Sequence, residues 1–133
     1  MKDLEWSYVL SVGNDEIDED HHKLVNLFNM LNHAATEGAE PDYLAAVLNE
    51  LIHCTAWHFS HEERLMVKYA YQGLAEHRAE HRELIKTARA LQEKILQADN
   101  KLPEEDMEIL ERWLTEHILS TDMRLGSFLA DVV

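Results

Sequence analysis

The chain has 133 residues, with 26 Asp or Glu, 12 Lys or Arg and a formal charge of −14 when the histidines are neutral. This length predicts a single domain over residues 1–133, and 46% hydrophobic residues exclude a disordered chain. The acidic charge argues against nucleic acid or an anionic membrane as a partner, because phosphate binding needs clustered Lys and Arg.

Apolar periodicity and the few Gly and Pro residues divide the chain into helices. Residues 1–16 have no helical period and predict an extended N-terminal arm, in which Trp6 lies over the core. Gly38 ends the first helix, and Pro41 fits the first turn of the second. The four predicted helices and a short C-terminal helix cover about 18–37, 41–69, 74–98, 103–121 and 123–130. Short connections between amphipathic helices favour an all-α, up-down-up-down four-helix bundle.

The single cysteine, Cys54, excludes an intrachain disulfide and a cysteine-based zinc or iron–sulfur site. Cys54 is interpreted as a small core residue rather than a redox sensor.

Residues 1–6 lack an apolar signal core, and no apolar run reaches the ~20 residues of a membrane span. The expected location is therefore the cytoplasm, with no membrane partner and an unidentified protein partner, if any.

Each predicted helix carries histidine on its apolar face, although histidine is a polar residue. Burying an imidazole without a partner costs roughly 1–3 kcal/mol, so these side chains are expected to be hydrogen-bonded or bound to a ligand. On a helical wheel at 100° per residue, the histidines within the apolar stripes are His21, His58, His77, His81 and His117. An inert core would not need five buried imidazoles, so these residues indicate a functional site.

The spacing of these residues is typical of metal ligands. His58 and Glu62 are four residues apart, as are His77 and His81. This spacing brings two side chains onto one helix face about 5–6 Å apart, so both can reach one ion or a close pair of ions. A hydrogen-bonded core histidine or a buried charge pair is the alternative reading of each pair.

The last predicted pair, His117 and Asp122, is five residues apart. On an ideal α-helix, such residues point about 140° away from each other. They can share a site only if the fourth helix bends, frays or forms a wide turn between Ser120 and Asp122. The alternative for Asp122 is a solvated residue or a cap at a helix end.

This donor set favours two metal ions over one. Imidazole and carboxylate suit iron, zinc, manganese or copper, and the lack of thiolates disfavours a soft-metal site. Five imidazoles exceed one tetrahedral zinc site. Two carboxylates that bridge a pair of ions account for the whole set.

These residues resemble the hemerythrin family, and most closely its single-domain bacterial members. The resemblance covers essentially the whole chain, and it is specific because seven polar positions fall in order on four helices. The matching segments are Ile17-Asp18-Glu19-Asp20-His21, His58-Phe59-Ser60-His61-Glu62-Glu63 with Met66, His77 to His81, and Trp113-Leu114-Thr115-Glu116-His117-Ile118 leading to Asp122.

The resemblance implies a non-haem di-iron protein that binds dioxygen reversibly for storage, delivery or scavenging and is not an enzyme. Its cofactor would be two iron ions with an oxo or hydroxo bridge. His77, His81 and His117 would bind one iron. The other iron would be bound by His21 and His58 and keep an open position for dioxygen. Two carboxylates would bridge the irons, namely Glu62 and Asp122.

An open iron position needs apolar neighbours, because water and reductants would otherwise displace the bound gas. The residues that lie one, three or four positions from the expected ligands are suited to this role. In the family, the positions that match them shape the dioxygen pocket. They are Leu24, Phe59, Trp113, Leu114 and Ile118.

Two other functions use similar residues. An oxygen or redox sensor could use the same site but would act through a separate partner. A ferritin-like oxidase or iron-storage protein needs Glu-x-x-His motifs, which occur at Glu19–His22 and Glu50–His53. Because His22 and His53 fall outside the apolar stripes, these matches are interpreted as accidental. The residues expected to face solvent are His33, His53, His61, Glu76, Glu80 and Glu83.

Overall fold

The computed structural model describes residues 4–5, 10–97 and 102–132, and its regular structure within these ranges is helical. The helices are α1 (Asp15–Thr36), α2 (Pro41–Lys68), α3 (Leu74–Gln97), α4 (Glu104–His117), a π-helical segment (Ile118–Asp122) and α5 (Met123–Val132). This arrangement confirms the predicted all-α four-helix bundle with a short C-terminal helix. None of the described helices is long and apolar enough to cross a membrane.

The helix boundaries follow local capping chemistry. Helix α1 begins at Asp15, earlier than predicted, because the Ile17 N–H donates to the Asn14 side chain at 3.1 Å and satisfies a free amide of the first turn. Gly38 follows the end of α1 with φ of +69°, a conformation that favours glycine. Pro41 is the first residue of α2, as predicted.

One continuous cluster of buried apolar side chains holds the helices together. It includes Phe28 of α1, Leu51 of α2, Leu91 of α3, Leu110 of α4 and Leu125 of α5. Burying each such side chain contributes about 1.5–3 kcal/mol. The buried histidines continue the same helix faces, so packing of the apolar residues fixes where the imidazoles meet.

Residues 10–14 lie over the bundle ahead of α1. Leu10 and Val12 are buried, and the Val12 N–H donates to Asp18 at 2.8 Å. The chain passes so close to α5 that a Cβ at Gly126 would overlap the carbonyl oxygen of Val12, so only glycine fits there. The expectation for Trp6 concerns a position outside the described residues.

Candidate metal centre

Seven ionisable side chains meet inside the bundle, and none is more than 6% exposed. They come from every long helix, so the packed bundle is needed to bring them together. The residues are His21 of α1, His58 and Glu62 of α2, His77 and His81 of α3, His117 of α4 and Asp122 of the π-helical segment. These are the residues that the sequence singled out.

The donor atoms form two groups that share two carboxylates. Within each group, the donor atoms all lie within 4.8 Å of one another. The three-histidine group contains His77, His81 and His117 with Glu62 and Asp122. The two-histidine group contains His21 and His58 with the same Glu62 and Asp122.

Glu62 presents one oxygen to each group. Its Oε1 lies 2.9 Å from His81 Nε2 and 3.3 Å from His77 Nε2. Its Oε2 lies 3.1 Å from His58 Nε2 and 3.7 Å from His21 Nε2. A carboxylate in this orientation is suited to bridging two cations.

Asp122 is oriented in the same way. Its Oδ1 lies 3.0 Å from His77 Nε2 and 2.9 Å from His117 Nε2, on the side of the three-histidine group. Its Oδ2 lies 2.8 Å from His21 Nε2, on the opposite side. Both shared carboxylates therefore divide their oxygens between the same two positions.

Several of these buried atoms have no hydrogen bond, although they lie close to one another. They are both ring nitrogens of His21, Nε2 of His58, Oε2 of Glu62, Nδ1 of His77, Nε2 of His117 and Oδ2 of Asp122. Buried polar atoms of this kind need a partner, and a bound ion supplies one. Nitrogen and oxygen donors without thiolate fit iron, zinc or manganese. The cluster is thus able to hold metal ions.

A π-helical turn brings His117 and Asp122 onto one face. The Met123 N–H donates to the carbonyl of Ile118, five residues earlier, which is the hydrogen bond of a π-helix. The wider turn accommodates one additional residue, so two side chains five positions apart point in similar directions. The structure confirms a wide turn here, but the turn spans Ile118–Asp122 and so begins before the predicted segment at Ser120.

Asp20 contacts an imidazole of the cluster, a role that the sequence patterns did not indicate. Its Oδ2 accepts from His58 Nδ1 at 2.8 Å and contacts His61 Nδ1 at 2.6 Å, so it fixes the orientation of one imidazole of the cluster. The expectation that His61 faces solvent is wrong, because its side chain is only 15% exposed and also contacts Glu16 at 3.1 Å. The sequence of α1 alone does not indicate this contact, because the partner of Asp20 lies on α2.

Two carboxylates orient imidazoles of the three-histidine group. His81 Nδ1 lies 3.1 Å from Glu63 Oε2, and His117 Nδ1 lies 2.8 Å from Glu80 Oε1. The expectation that Glu80 belongs to the outer face is wrong, since this half-buried side chain turns towards α4. A histidine that binds metal usually donates its second N–H to such an acceptor, which is the signal that points to Glu63 and Glu80.

The cluster is strongly coupled by charge. Burial disfavours protonation of His58, but Glu62 and Asp20 outweigh it and raise its pKa to about 9. Burial likewise opposes the charge on Glu62, yet the imidazoles, His58 first, hold its pKa well below the usual range. His117 behaves like His58, and after burial the nearby Asp122 raises its pKa to about 10. Protons therefore compensate the carboxylates without metal, and metal ions would displace them.

A small cavity adjoins the two-histidine group. Its volume is about 10 Å³, roughly the space that one water-sized molecule needs. The five apolar residues that the sequence indicated all border it. The complete lining is His21, Leu24, Thr55, His58, Phe59, Leu84, Trp113, Leu114, His117 and Ile118.

The two Glu-x-x-His matches do not reach the interior. Glu19, His22, Glu50 and His53 are all exposed, so they cannot form the inward-facing carboxylate set of a ferritin-like site.

Cys54 is half-buried, and burial raises the pKa of its thiol, which disfavours the reactive thiolate.

The fold and the donor groups together define a class of protein, a helical bundle with a buried histidine–carboxylate cluster suited to two metal ions. The sequence model of the hemerythrin HHE cation binding domain matches residues 12–129. The chain therefore belongs to the hemerythrin family.

Individual relatives agree with this family. Bacteriohemerythrin of Pseudomonas paraeruginosa is 34% identical over 122 residues, which cover 92% of this chain and 78% of the relative. Bacteriohemerythrin of Stenotrophomonas maltophilia is 31% identical over 119 residues, covering 90% and 76% of the two chains. A crystal structure of wild-type hemerythrin superposes with a TM-score of 0.84 at 26% identity, covering 93% of this chain and 95% of the other.

Proposed function

We propose that this chain is a non-haem di-iron protein that binds dioxygen reversibly, for storage, delivery or scavenging, and that it is not an enzyme. The observation that carries this proposal is the small cavity beside the two-histidine group. A chamber of about 10 Å³ suits a very small guest and is too small for an organic substrate. Membership of the hemerythrin family supports the same function.

The two donor groups support a division of ligands between two irons joined by an oxo or hydroxo bridge. His77, His81 and His117 would bind one iron, and His21 and His58 the other. Glu62 and Asp122 would bridge, because each directs one oxygen to each group. When bound, the iron pair would supply the two electrons that hold dioxygen reversibly. The iron with fewer histidines would keep a free position, on the side where His21 and His58 border the cavity.

The cavity wall favours an apolar guest. Trp113 and Thr55 carry the only side-chain N–H and O–H groups in the lining apart from the histidines. The Trp113 indole N–H donates to the carbonyl of Leu84 at 2.9 Å, and the Thr55 hydroxyl donates to the carbonyl of Leu51 at 2.7 Å. Since both hydrogens are used by the backbone, the part of the wall outside the imidazoles attracts water weakly, and excluding water favours reversible binding over oxidation of the site.

Anaerobic reconstitution with ferrous iron tests the proposal. We expect about two irons per chain after removal of excess metal. Exposure to air should then produce a visible charge-transfer band that disappears when oxygen is removed. A chain that binds no iron, or whose band does not reverse over repeated cycles, would contradict the proposed function.

A matched pair of variants on α2 gives the control. His58→Ala removes a buried nitrogen of the cluster, whereas His53→Ala removes an exposed imidazole of the same helix. Only His58→Ala should lose iron and the oxygen-dependent band. Loss of iron in His53→Ala would instead support the ferritin-like alternative.

A further inference from the structure

The π-helical turn at Ile118–Asp122 needs a structural cause, because π-helical hydrogen bonding is rare and usually confined to single turns. If these residues returned to α-helical register, every side chain after the turn would rotate by about 100° about the helix axis. Asp122 would then leave both donor groups. Whatever holds this turn therefore determines whether the cluster forms.

We propose that Glu80 is a positioning residue that holds the π-helical turn and thereby assembles the metal centre. Its Oε1 accepts from His117 Nδ1 at 2.8 Å, directly before the turn. Its Oε2 accepts from the Thr121 hydroxyl at 2.6 Å, inside the turn. One carboxylate of α3 thus contacts both ends of the turn. The role of Glu80 towards metal rests on the proposed di-iron function.

The contact with His117 sets the direction of its imidazole. Because Nδ1 donates to Glu80, Nε2 is the nitrogen that faces the cluster, where it lies 2.9 Å from Asp122 Oδ1 and would bind a metal ion that displaces its proton. Both oxygens of the Glu80 carboxylate accept hydrogen bonds, Oε1 from His117 and Oε2 from Thr121. A charged carboxylate makes stronger hydrogen bonds than a neutral acceptor.

The contact with Thr121 holds the backbone of the turn. Thr121 is 6% exposed, and its hydroxyl donates to Glu80 across the interface between α3 and the turn. In α-helical register this side chain would rotate away from α3 and lose its acceptor. Losing this acceptor is unfavourable for a hydroxyl that lies inside the protein, which favours the π-helical register over the α-helical one.

The other two orienting carboxylates lack this second role. Asp20 contacts His58 and His61, and both belong to the regular helix α2. Glu63 contacts His81 of the regular helix α3 and receives its second hydrogen bond from Arg78 of the same helix. Glu80 differs because its partners flank the irregular segment.

Metal-free protein provides the first test, which is independent of iron. The Met123 amide is a reporter, since it donates to Ile118 across the turn. We expect Glu80→Ala and Thr121→Val to accelerate hydrogen exchange of this amide by about tenfold. Glu80→Gln, which can accept from His117 and donate to the Thr121 oxygen, should restore slow exchange. Glu83→Ala, which removes an exposed carboxylate of α3, is the matched control.

Anaerobic titration with ferrous iron provides the second test. We expect Glu80→Ala to weaken binding of at least one iron by about 10–100-fold, the usual effect of losing an orienting partner. Thr121→Val should weaken it less, because His117 keeps its acceptor. Glu83→Ala should bind iron as the unaltered chain does.

The outcomes separate this inference from the proposed function. If the unaltered chain binds no iron, the proposed function fails, while the exchange experiment still tests the turn. If the unaltered chain binds iron and Glu80→Ala binds it equally well, Glu80 does not position the centre. The proposed role of Glu80 would be overturned if the Met123 amide exchanged at an unchanged rate in Glu80→Ala and Thr121→Val. It would also be overturned if this amide exchanged as fast in Glu80→Gln as in Glu80→Ala.

Discussion

The two donor groups share the same pair of carboxylates but differ in how firmly their imidazoles are held. In the three-histidine group, His81 and His117 each direct Nδ1 to a carboxylate, Glu63 and Glu80. In the two-histidine group only His58 has such a partner, and neither nitrogen of His21 is hydrogen-bonded. The two-histidine group also borders the cavity with both of its imidazoles.

Because of this difference, one group is suited to keeping a metal ion, and the other leaves space for a small guest. A position with three imidazoles, two of them oriented by a carboxylate, and two shared carboxylates has enough donors to fill its coordination, so it is suited to keeping an ion in place. A position with two imidazoles and the same carboxylates has fewer donors and an adjacent space. The asymmetry concentrates any guest at one side of the centre.

The largest expected effect comes from removing what the two groups share. Asp122→Ala takes one oxygen from each group, and Asp122 is fully buried. We expect iron content to fall from about two ions per chain to nearly none, because the proposed bridging ligand is lost. Metal analysis after anaerobic reconstitution measures this.

Asp131→Ala, an exposed residue of α5, is the control for Asp122→Ala. Circular dichroism should establish that both variants remain helical. An Asp122→Ala chain that keeps both irons at unchanged affinity would contradict the idea that the groups depend on a common carboxylate.

His21→Ala should affect the two-histidine group alone. The remaining group keeps its three imidazoles, so we expect about one iron per chain and no reversible response to oxygen. His22→Ala, the exposed neighbour, should keep both irons and the response. Loss of both irons in His21→Ala would mean that the two positions are not separable.

Removing the orienting acceptor should have a smaller effect than removing a donor. Asp20→Ala deprives His58 Nδ1 of its 2.8 Å partner, and we expect the weaker-bound iron to lose about 10–100-fold in affinity. Glu63→Ala should act on the three-histidine group instead. Stepwise iron titration distinguishes the two variants, and Glu19→Ala, an exposed residue of α1, should match the unaltered chain. If Asp20→Ala and Glu63→Ala weakened binding of the same iron equally, the two groups would not differ in the way described.

The smallest expected effect concerns the cavity wall. Leu114→Ala enlarges the cavity and admits water, so we expect autoxidation of the oxygen-bound protein to accelerate by about tenfold, equivalent to ~1.4 kcal/mol in the barrier. Following the decay of the charge-transfer band measures the rate. An unchanged autoxidation rate would mean that Leu114 does not keep water away from the bound oxygen.

Leu110→Ala separates this effect from a general loss of packing. Leu110 is buried on the same helix but does not line the cavity. Both variants should lose about 2–5 kcal/mol of the free energy of unfolding, as large-to-small changes in a core do. Only Leu114→Ala should alter the autoxidation rate.

Much of the fold and the convergence of the seven residues could be predicted because both follow from helical periodicity. Apolar side chains and histidines repeat on the same faces, so periodicity alone predicts that His58 and His77 point into the bundle. The i, i+5 spacing of His117 and Asp122 even requires an irregular turn. Whether these residues bind metal stays a prediction.

The orienting carboxylates were harder to predict because their position on the wheel is ambiguous. Glu80 lies about 60° from His77, at the edge of the apolar stripe, where a charged residue normally faces water. Its true environment depends on the rotation of α4 and on the π-helical turn, which bring His117 and Thr121 within reach. Periodicity within one helix carries no information about the helix packed against it.

The order of the donors along the chain has a consequence for how the protein matures. The first donor, His21, lies in α1, while Asp122 follows α4, and both belong to the two-histidine group. A nascent polypeptide that still lacks α4 can gather imidazoles from α1, α2 and α3 but not the second shared carboxylate. Stable binding of two metal ions would therefore have to wait until α4 and the π-helical turn have left the ribosome.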